Sequence, residues 1–309
     1  MANITAKDVA ALRAKTGIGM MECKKALVEA NGDMEEAVTI LRKRGELKAE
    51  AKAATRIAAD GIVDILKEGD ATAMIEVNTE TDFVAKNATF QEFVKNLLKT
   101  VIANKPADVD ALLASDYIDG GVTVDAKLKE MIFVIGEKIS IRRFVVVEGL
   151  TSTYIHGNGS IGVVAKFDTD ADTAAKAEFV EFSKNIALQI GAYTTPYLDR
   201  DSVPASVIES EKEIVLAQMA ADPKNAGKPQ QILEKMVIGK LGKFYENNCL
   251  LDMEYFKDDD VTVGKYVANT AKELGGDIKI TGFFRFEKGE GIQKREEDFG
   301  AEIAKMVNG

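Results

Sequence analysis

Apolar residues recur along the first 45 positions at spacings of three and four, the pattern of helices that each bury one stripe. Thr5 and Asp8 make a capping box ahead of Val9, Ala10 and Leu12, and Thr16-Gly17-Ile18-Gly19 breaks that helix. A second helix is predicted over 20–29, with Met20, Cys23, Lys24 and Leu27 at helical spacing and Asn31-Gly32 as its stop. Asp33 with Glu36 caps a third, through Leu41, so residues 1–45 read as a three-helix head. The Ala-, Lys- and Glu-rich run over 46–60 predicts a helical linker held by intrinsic propensity, with a domain boundary near Asp60-Gly61.

The period then shortens from helical to strand spacing. Ile62, Val63, Ile65 and Leu66, a Glu-Gly-Asp turn at 68–70, and Met74 to Val77 predict a hairpin whose return strand runs into Thr81-Asp82-Phe83. Thr89 and Glu92 are read as a capping box opening a helix that buries Phe90, Phe93, Val94, Leu97, Leu98 and Val101. The run from Phe90 to Leu97 is echoed 89 residues later by Phe179 to Ile186, behind a strand pair predicted at 139–147 and 161–167, as the first hairpin precedes its own helix. Two related α+β subdomains follow from that echo. Residues 203–221 and 228–246 predict an antiparallel helical hairpin, 261–274 a helix, and Ile278, Ile280, Phe284 and Phe286 a late strand. The tail over 296–307 has helical spacing in Phe299, Ile303 and Met306.

The resulting fold class is α+β. Its predicted parts are the head (1–45), the linker (46–60), a first core subdomain (61–138), a second built from 139–202 and 247–288, the hairpin inserted at 203–246, and a C-terminal helical module (289–309). At 309 residues and 46% hydrophobic, each part has enough chain to share a real core. A net charge of −10 opposes a phosphate backbone, so no direct nucleic-acid role is expected. No stretch has the roughly 18 uninterrupted apolar residues of a membrane helix, and the start lacks an apolar signal core, so neither membrane insertion nor export is expected. Two distant cysteines, Cys23 and Cys249, and a single histidine leave too few soft ligands for a zinc site and suit a reduced cytoplasmic compartment.

Four local signals bear on chemistry. Gly157-Asn158-Gly159-Ser160-Ile161-Gly162 matches G-x-G-x-x-G, but a strand and not a helix follows, so a hairpin turn is preferred to a dinucleotide cradle. His156 beside that turn is read as a packing or contact residue in preference to a general acid or base, and no nucleophile elbow accompanies it. Asp82-Phe83 could project from a strand-to-helix junction. The residues alone favour the plainer reading, in which Thr81 or Asp82 caps a helix and Phe83 packs inside. Of Met20 and Met21, at least one is expected in the bundle core, the other being free for a partner.

Several segments in order resemble the bacterial elongation factor Ts family. They are Thr16 to Leu27, Thr81-Asp82-Phe83-Val84-Ala85-Lys86-Asn87, Ile135-Gly136-Glu137-Lys138-Ile139 with Arg142-Arg143, His156-Gly157 with Ile161-Gly162-Val163, Glu234-Lys235-Met236-Val237, and Gly282-Phe283-Phe284-Arg285-Phe286 leading into Gly289-Glu290-Gly291-Ile292. The likeness spans nearly the whole chain. It implies a ubiquitin-associated-like head and a guanine-nucleotide exchange factor that binds elongation factor Tu, both GDP-bound and nucleotide-free, and is not itself an enzyme. It implies that Asp82 and Phe83 act as a wedge at Tu's magnesium and phosphate site. It implies head contacts through Arg13, Met20, Met21 and Lys24, and core contacts through Ile135, Gly136, His156, Met236 and Val237. No cofactor or metal of its own is expected. A homodimer or a two-plus-two complex with Tu stays open, as does a second reading, an adaptor acting through the head. Asp252-Met253-Glu254-Tyr255-Phe256 departs from the family's usual acid-Gln-Pro-aromatic stretch and leaves the chain path after the hairpin open.

Overall fold

In the computed structural model, which describes residues 4–118, 120–225 and 228–293 and the backbone alone for 46–55, helix α1 (Ala6–Thr16) begins where its capping box predicts. The Thr5 hydroxyl accepts from the Asp8 amide and the Asp8 carboxylate accepts from the Thr5 amide, and Gly17 ends the helix in the left-handed region. Helix α2 (Met20–Glu29) follows, and the Asp33 carboxylate accepts from the Glu36 amide at 2.8 Å to open α3 (Met34–Thr55). The predicted third helix and the predicted linker as far as Thr55 are one continuous helix that runs through Gly45, while 56–59 of the predicted linker are not helical. The head core is Val9, Leu12, Ile18, Cys23, Ala26, Leu27, Ala37 and Leu41.

The chain divides into two compact units. Among the described residues, one comprises those up to Val146, Gly157–Ile161 and 286–293; the other comprises those of Val147–His156 and Gly162–Arg285. In the first, β1 (Asp60–Glu68) and β2 (Ala71–Thr79) form the predicted hairpin, antiparallel from Asp60 opposite Thr79 to Glu68 opposite Ala71. Next come α4 (Asp82–Ala85), α5 (Ala88–Asn104), α6 (Val109–Ala114), α7 (Val124–Ile135) and β3 (Ile139–Glu148). Helix α5 buries the predicted stripe against the hairpin, but its cap is Asn87, whose side chain accepts from the Thr89 and Phe90 amides. Thr89 lies inside the helix, so the Thr89–Glu92 box is corrected. Asparagine is as strong a cap and stands two residues earlier.

The second unit holds β4 (Thr151–His156), β5 (Ile161–Asp168) from Gly162 on, α8 (Ala171–Ala174), α9 (Ala177–Ala192), α10 (Ala205–Ala221), α11 (Gln230–Asn248), β6 (Glu254–Tyr255), β7 (Asp258–Thr262), α12 (Val263–Leu274) and β8 (Lys279–Glu287) as far as Arg285. The predicted pairing of 139–147 with 161–167 is overturned: β3 joins β1 and β2 in the order β1-β2-β3, and β5 lies between β4 and β8. Strand β4 carries no long apolar run, so alternation alone did not reveal it. The helix predicted from Val261 starts at Val263, because Thr262 caps it and Asp258–Thr262 pairs with β6. Helices α10 and α11 form the predicted hairpin, and at its root Arg200 Nε and Nη2 donate to Asp252 Oδ1 at 2.9 and 2.6 Å. The chain after it is fixed by Tyr255, which stacks on Tyr266 at 4.1 Å between ring centroids. Positions echoed at 89 residues are buried in both helices: Phe90, Phe93 and Leu97 in α5, and Phe179, Phe182 and Ile186 in α9. The predicted helix over 296–307 lies outside the described residues. Among the described residues, no helix is long and apolar enough to cross a membrane.

Strand β2 is the middle strand of its sheet, paired along both edges, and it buries polar Thr72, Glu76, Asn78 and Thr79 as completely as Ile75 or Val77. The Glu76 carboxylate accepts from Arg142 Nη1 (3.0 Å), Arg143 Nε (2.6 Å), the Asn78 amide (3.0 Å) and the Gly289 backbone N–H (2.7 Å). Burial alone would raise its pKa, but these donors outweigh burial and hold it below the ordinary glutamate value. Glu76→Ala leaves two partly buried guanidiniums without their acceptor and should cost about 2–4 kcal/mol in urea unfolding. A native pKa below the unfolded one stabilises above about pH 4.3 and is lost as pH falls through the lowered native value. The stability gap between the wild type and Glu76→Gln should therefore be full at neutral pH and shrink on acidification below about pH 4.

Candidate functional site

The end of β2 delivers Thr79-Glu80-Thr81 to the short helix α4, whose backbone is held from the turn after α7. The Thr81 amide and hydroxyl donate to the two oxygens of Glu137 at 3.0 and 2.7 Å, and the Lys138 amide donates to Glu80. Thr81 stands at the cap position of α4, but its hydroxyl is committed to Glu137 and makes no capping bond. Val84 and Ala85 are buried and root the helix, so the residues one step earlier on the turn face outward. Phe83 is 78% exposed. Packing of Phe83 in the core is thus corrected: the apolar anchor positions of this turn are already filled by Val84 and Ala85.

Asp82 Oδ2 accepts from Lys86 Nζ at 2.7 Å, one helical turn on, and the same ammonium lies 5.9 Å from the Phe83 ring centroid. The Lys86 hydrogen bond holds the Asp82 carboxyl below its ordinary value, so it is ionised at neutral pH. Beside it opens a recess of roughly 490 Å³, lined among others by Asp64, Asp82, Lys86, Lys95 and Lys288 and by the Gly157-Asn158 turn. Burial pushes the Asp64 carboxyl up. The Gly-rich turn is the predicted hairpin connection, with positive φ at Gly157, Asn158 and Gly159. A Cβ on Gly159 would lie 2.3 Å from Ile62 Cγ1, so this glycine permits the turn to seat against β1, where its carbonyl accepts from the Val63 amide at 2.8 Å.

In the first unit the structure brings Ile135 and Gly136 to the same corner as Asp82 and Phe83, through the Glu137 clamp; Ile135 is half-buried and Gly136 is the exposed left-handed cap of α7. Arg13, Met20, Met21 and Lys24 all lie on the outer surface of the head. Both methionines are exposed, Met21 by 66%, which corrects the expectation that one is in the core; Ile18 from the preceding loop and Cys23 fill that place. In the second unit His156 ends β4 with an exposed ring, and Met236 and Val237 are half-buried on α11. Neither cysteine is paired, and both are buried. Burial pushes the Cys249 thiol up to about 11, which keeps it protonated and unreactive toward disulfide exchange at neutral pH. Glu137 and Lys86 lie in the quoted segments without a role, and Glu76 lies in none: each acts through a partner in space, and only Lys86, four residues after Asp82 on one helical turn, had a local signal.

The chain matches the family model described as Elongation factor TS over residues 80–290. It is 46% identical over 307 residues to the elongation factor Ts of Syntrophotalea carbinolica, covering 98% of this chain and 99% of that protein. It is 47% identical over 311 residues to the elongation factor Ts of Clostridioides difficile, covering 99% and 100%. It is likewise similar to the elongation factor Ts of Clostridium kluyveri, at 44% over 312 residues.

An exposed aromatic on a rooted turn contributes little to folding. Phe83→Ala should leave the unfolding free energy within about 0.5 kcal/mol of wild type, whereas Phe90→Ala in the core below should lose about 3–5 kcal/mol. Paired urea melts check the contrast.

Proposed function

The chain belongs to the elongation factor Ts family, and from that premise we propose that it is the guanine-nucleotide exchange factor for elongation factor Tu in translation elongation, working in the cytoplasm and making or breaking no covalent bond itself. The observation that carries this reading is Phe83, a large apolar side chain held in solvent on a clamped one-turn helix beside an ionised Asp82. A backbone clamped in this way has already met its cost of ordering, so docking has only the ring left to order.

In this mechanism the factor binds GDP-bound Tu, and Phe83 enters at the magnesium and phosphate end of the nucleotide site. The Asp82 carboxylate would arrive with it and bring negative charge to that end of the site. A nucleotide held at nanomolar affinity is stabilised by about 12 kcal/mol, and a ~10⁴-fold faster escape requires only about 5.5 of it. A buried aromatic anchor supplies about 2–4 kcal/mol, so disturbing the cation's bridge to the phosphates must provide the rest. Reciprocity completes the cycle: a factor that weakens GDP binding is itself bound more weakly when nucleotide returns, so GTP displaces it. Arg13, Met20, Met21 and Lys24 are assigned to the head's contact with Tu. Ile135, Gly136, His156, Met236 and Val237 are assigned to contacts of the core. The finer division into head, linker, two related core subdomains, inserted hairpin and C-terminal module belongs to the same proposal, supported by the burial echo between α5 and α9.

The exposure of both Met20 and Met21 favours a second reading, an adaptor that holds partners through the head alone. One assay separates the two. Release of a fluorescent GDP analogue from Tu, chased with excess unlabelled GDP, should accelerate with substoichiometric amounts of this protein. Phe83→Ala should lower that acceleration about 30- to 800-fold with folding intact. Undiminished release by the folded variant removes the wedge role, and no acceleration by the wild type leaves the adaptor.

A further inference from the structure

Within the second unit, Tyr154 and His156 stand two residues apart on β4 and so on one side of the strand. The Tyr154 hydroxyl lies 2.8 Å from His156 Nδ1, and the two rings are tilted by 39° with centroids 6.0 Å apart. The tyrosine ring in turn rests on α9 at Gly191, where a Cβ would come 2.8 Å from its Cδ1 and 3.0 Å from its Cε1. A glycine inside a helix costs about 1 kcal/mol relative to alanine, and its φ here is not one that demands glycine. What Gly191 provides is room for the ring.

A neutral imidazole carries one donor and one acceptor nitrogen, and the hydrogen bond made by one decides what the other can do. We propose that Tyr154 is a positioning residue for His156: its hydroxyl donates to Nδ1, so the ring proton resides on Nε2 and is turned outward as a fixed donor to a carbonyl or carboxylate oxygen of the GTPase partner. Gly191 belongs to the same device, because it lets the tyrosine ring lie where its hydroxyl reaches the histidine. The inference rests on the exchange reading and on His156 as a partner contact. Without the hydroxyl, the exposed imidazole turns freely and exchanges tautomers, and docking must then order it.

The chain has one histidine, so its ring nitrogens are observed without assignment. The test combines long-range ¹H–¹⁵N spectra of the intact protein, at a pH where the ring is neutral, with the GDP-release assay on Tu. Wild type should show the Nε2–H tautomer essentially alone, a larger share than the majority it already holds in a free imidazole. Tyr154→Phe should move the ring toward the free-imidazole mixture and slow exchange roughly five-fold, as losing one hydrogen bond implies. Gly191→Ala should reproduce both changes with the hydroxyl still present. In a His156→Ala background, Tyr154→Phe should have no further effect. An Nδ1–H tautomer in wild type, an unchanged tautomer in Tyr154→Phe, or an equal loss of exchange with and without His156 each overturns the inference. If wild type fails to accelerate GDP release at all, the exchange reading falls and takes the positioning role with it; a wild type that is active with any of those three results sinks this inference alone.

Discussion

Burying the Glu76 carboxylate obliges the first unit to bring donors from three parts of the chain to one point. Removing a carboxylate from water costs several kcal/mol unless it is fully solvated by protein groups. Two arginines on β3, Asn78 on β2 itself and the amide of Gly289 beyond β8 meet that requirement together. Arg143 also lies over the Phe286 ring at 4.3 Å, and its Nη2 donates to the Glu287 carbonyl, so the end of β8 is tied to the same cluster. A cluster with this many partners admits few alternative arrangements: slipping β3 along β2 would leave a buried anion without donors. The middle strand of the sheet is thereby fixed in place.

That fixity matters for what leaves the end of the strand. Thr79 is the last residue of β2, and its hydroxyl donates to the Thr81 carbonyl at 2.8 Å, so Thr81 follows with little freedom. The Glu137 clamp then holds Thr81 from the other side. Helix α7 carries that clamp at its C-terminal end while Val124, Leu128, Met131 and Ile132 join the sheet's core and Phe133 and Val134 pack against the head. One helix therefore serves the head, the core and the projecting turn. Phe83 stays in solvent because everything around it is already satisfied: its neighbours fill the core, and its backbone is pinned.

The local half of this protein is legible in its residues. The Thr5–Asp8 box, the Asn31-Gly32 stop, the hairpin at 60–79 and the buried stripe of α5 depend on partners within a turn or two, and they appear as the spacing predicts. The errors share a different cause. The Thr89–Glu92 box misplaces the start of α5 because Asn87, a cap of similar strength, stands two residues earlier. The partner of β3 was misjudged because strand pairing is decided by which distant groups must be satisfied, and the sequence carries no mark of Glu76's need for Arg142 and Arg143.

The site divides along the same line. Family resemblance drew attention to Asp82-Phe83, and helical spacing alone made Met20 and Met21 ambiguous. Sequence by itself determined the elements, their order and the residues that carry the family's pattern, because capping, periodicity and turn chemistry act over a few residues. Only the tertiary structure decided that Phe83 and both methionines face solvent, that Glu137 holds Thr81 and that Tyr154 reaches His156 over Gly191. Exposure is a property of what else fills the space, and the groups that fill it are in several cases more than thirty residues away.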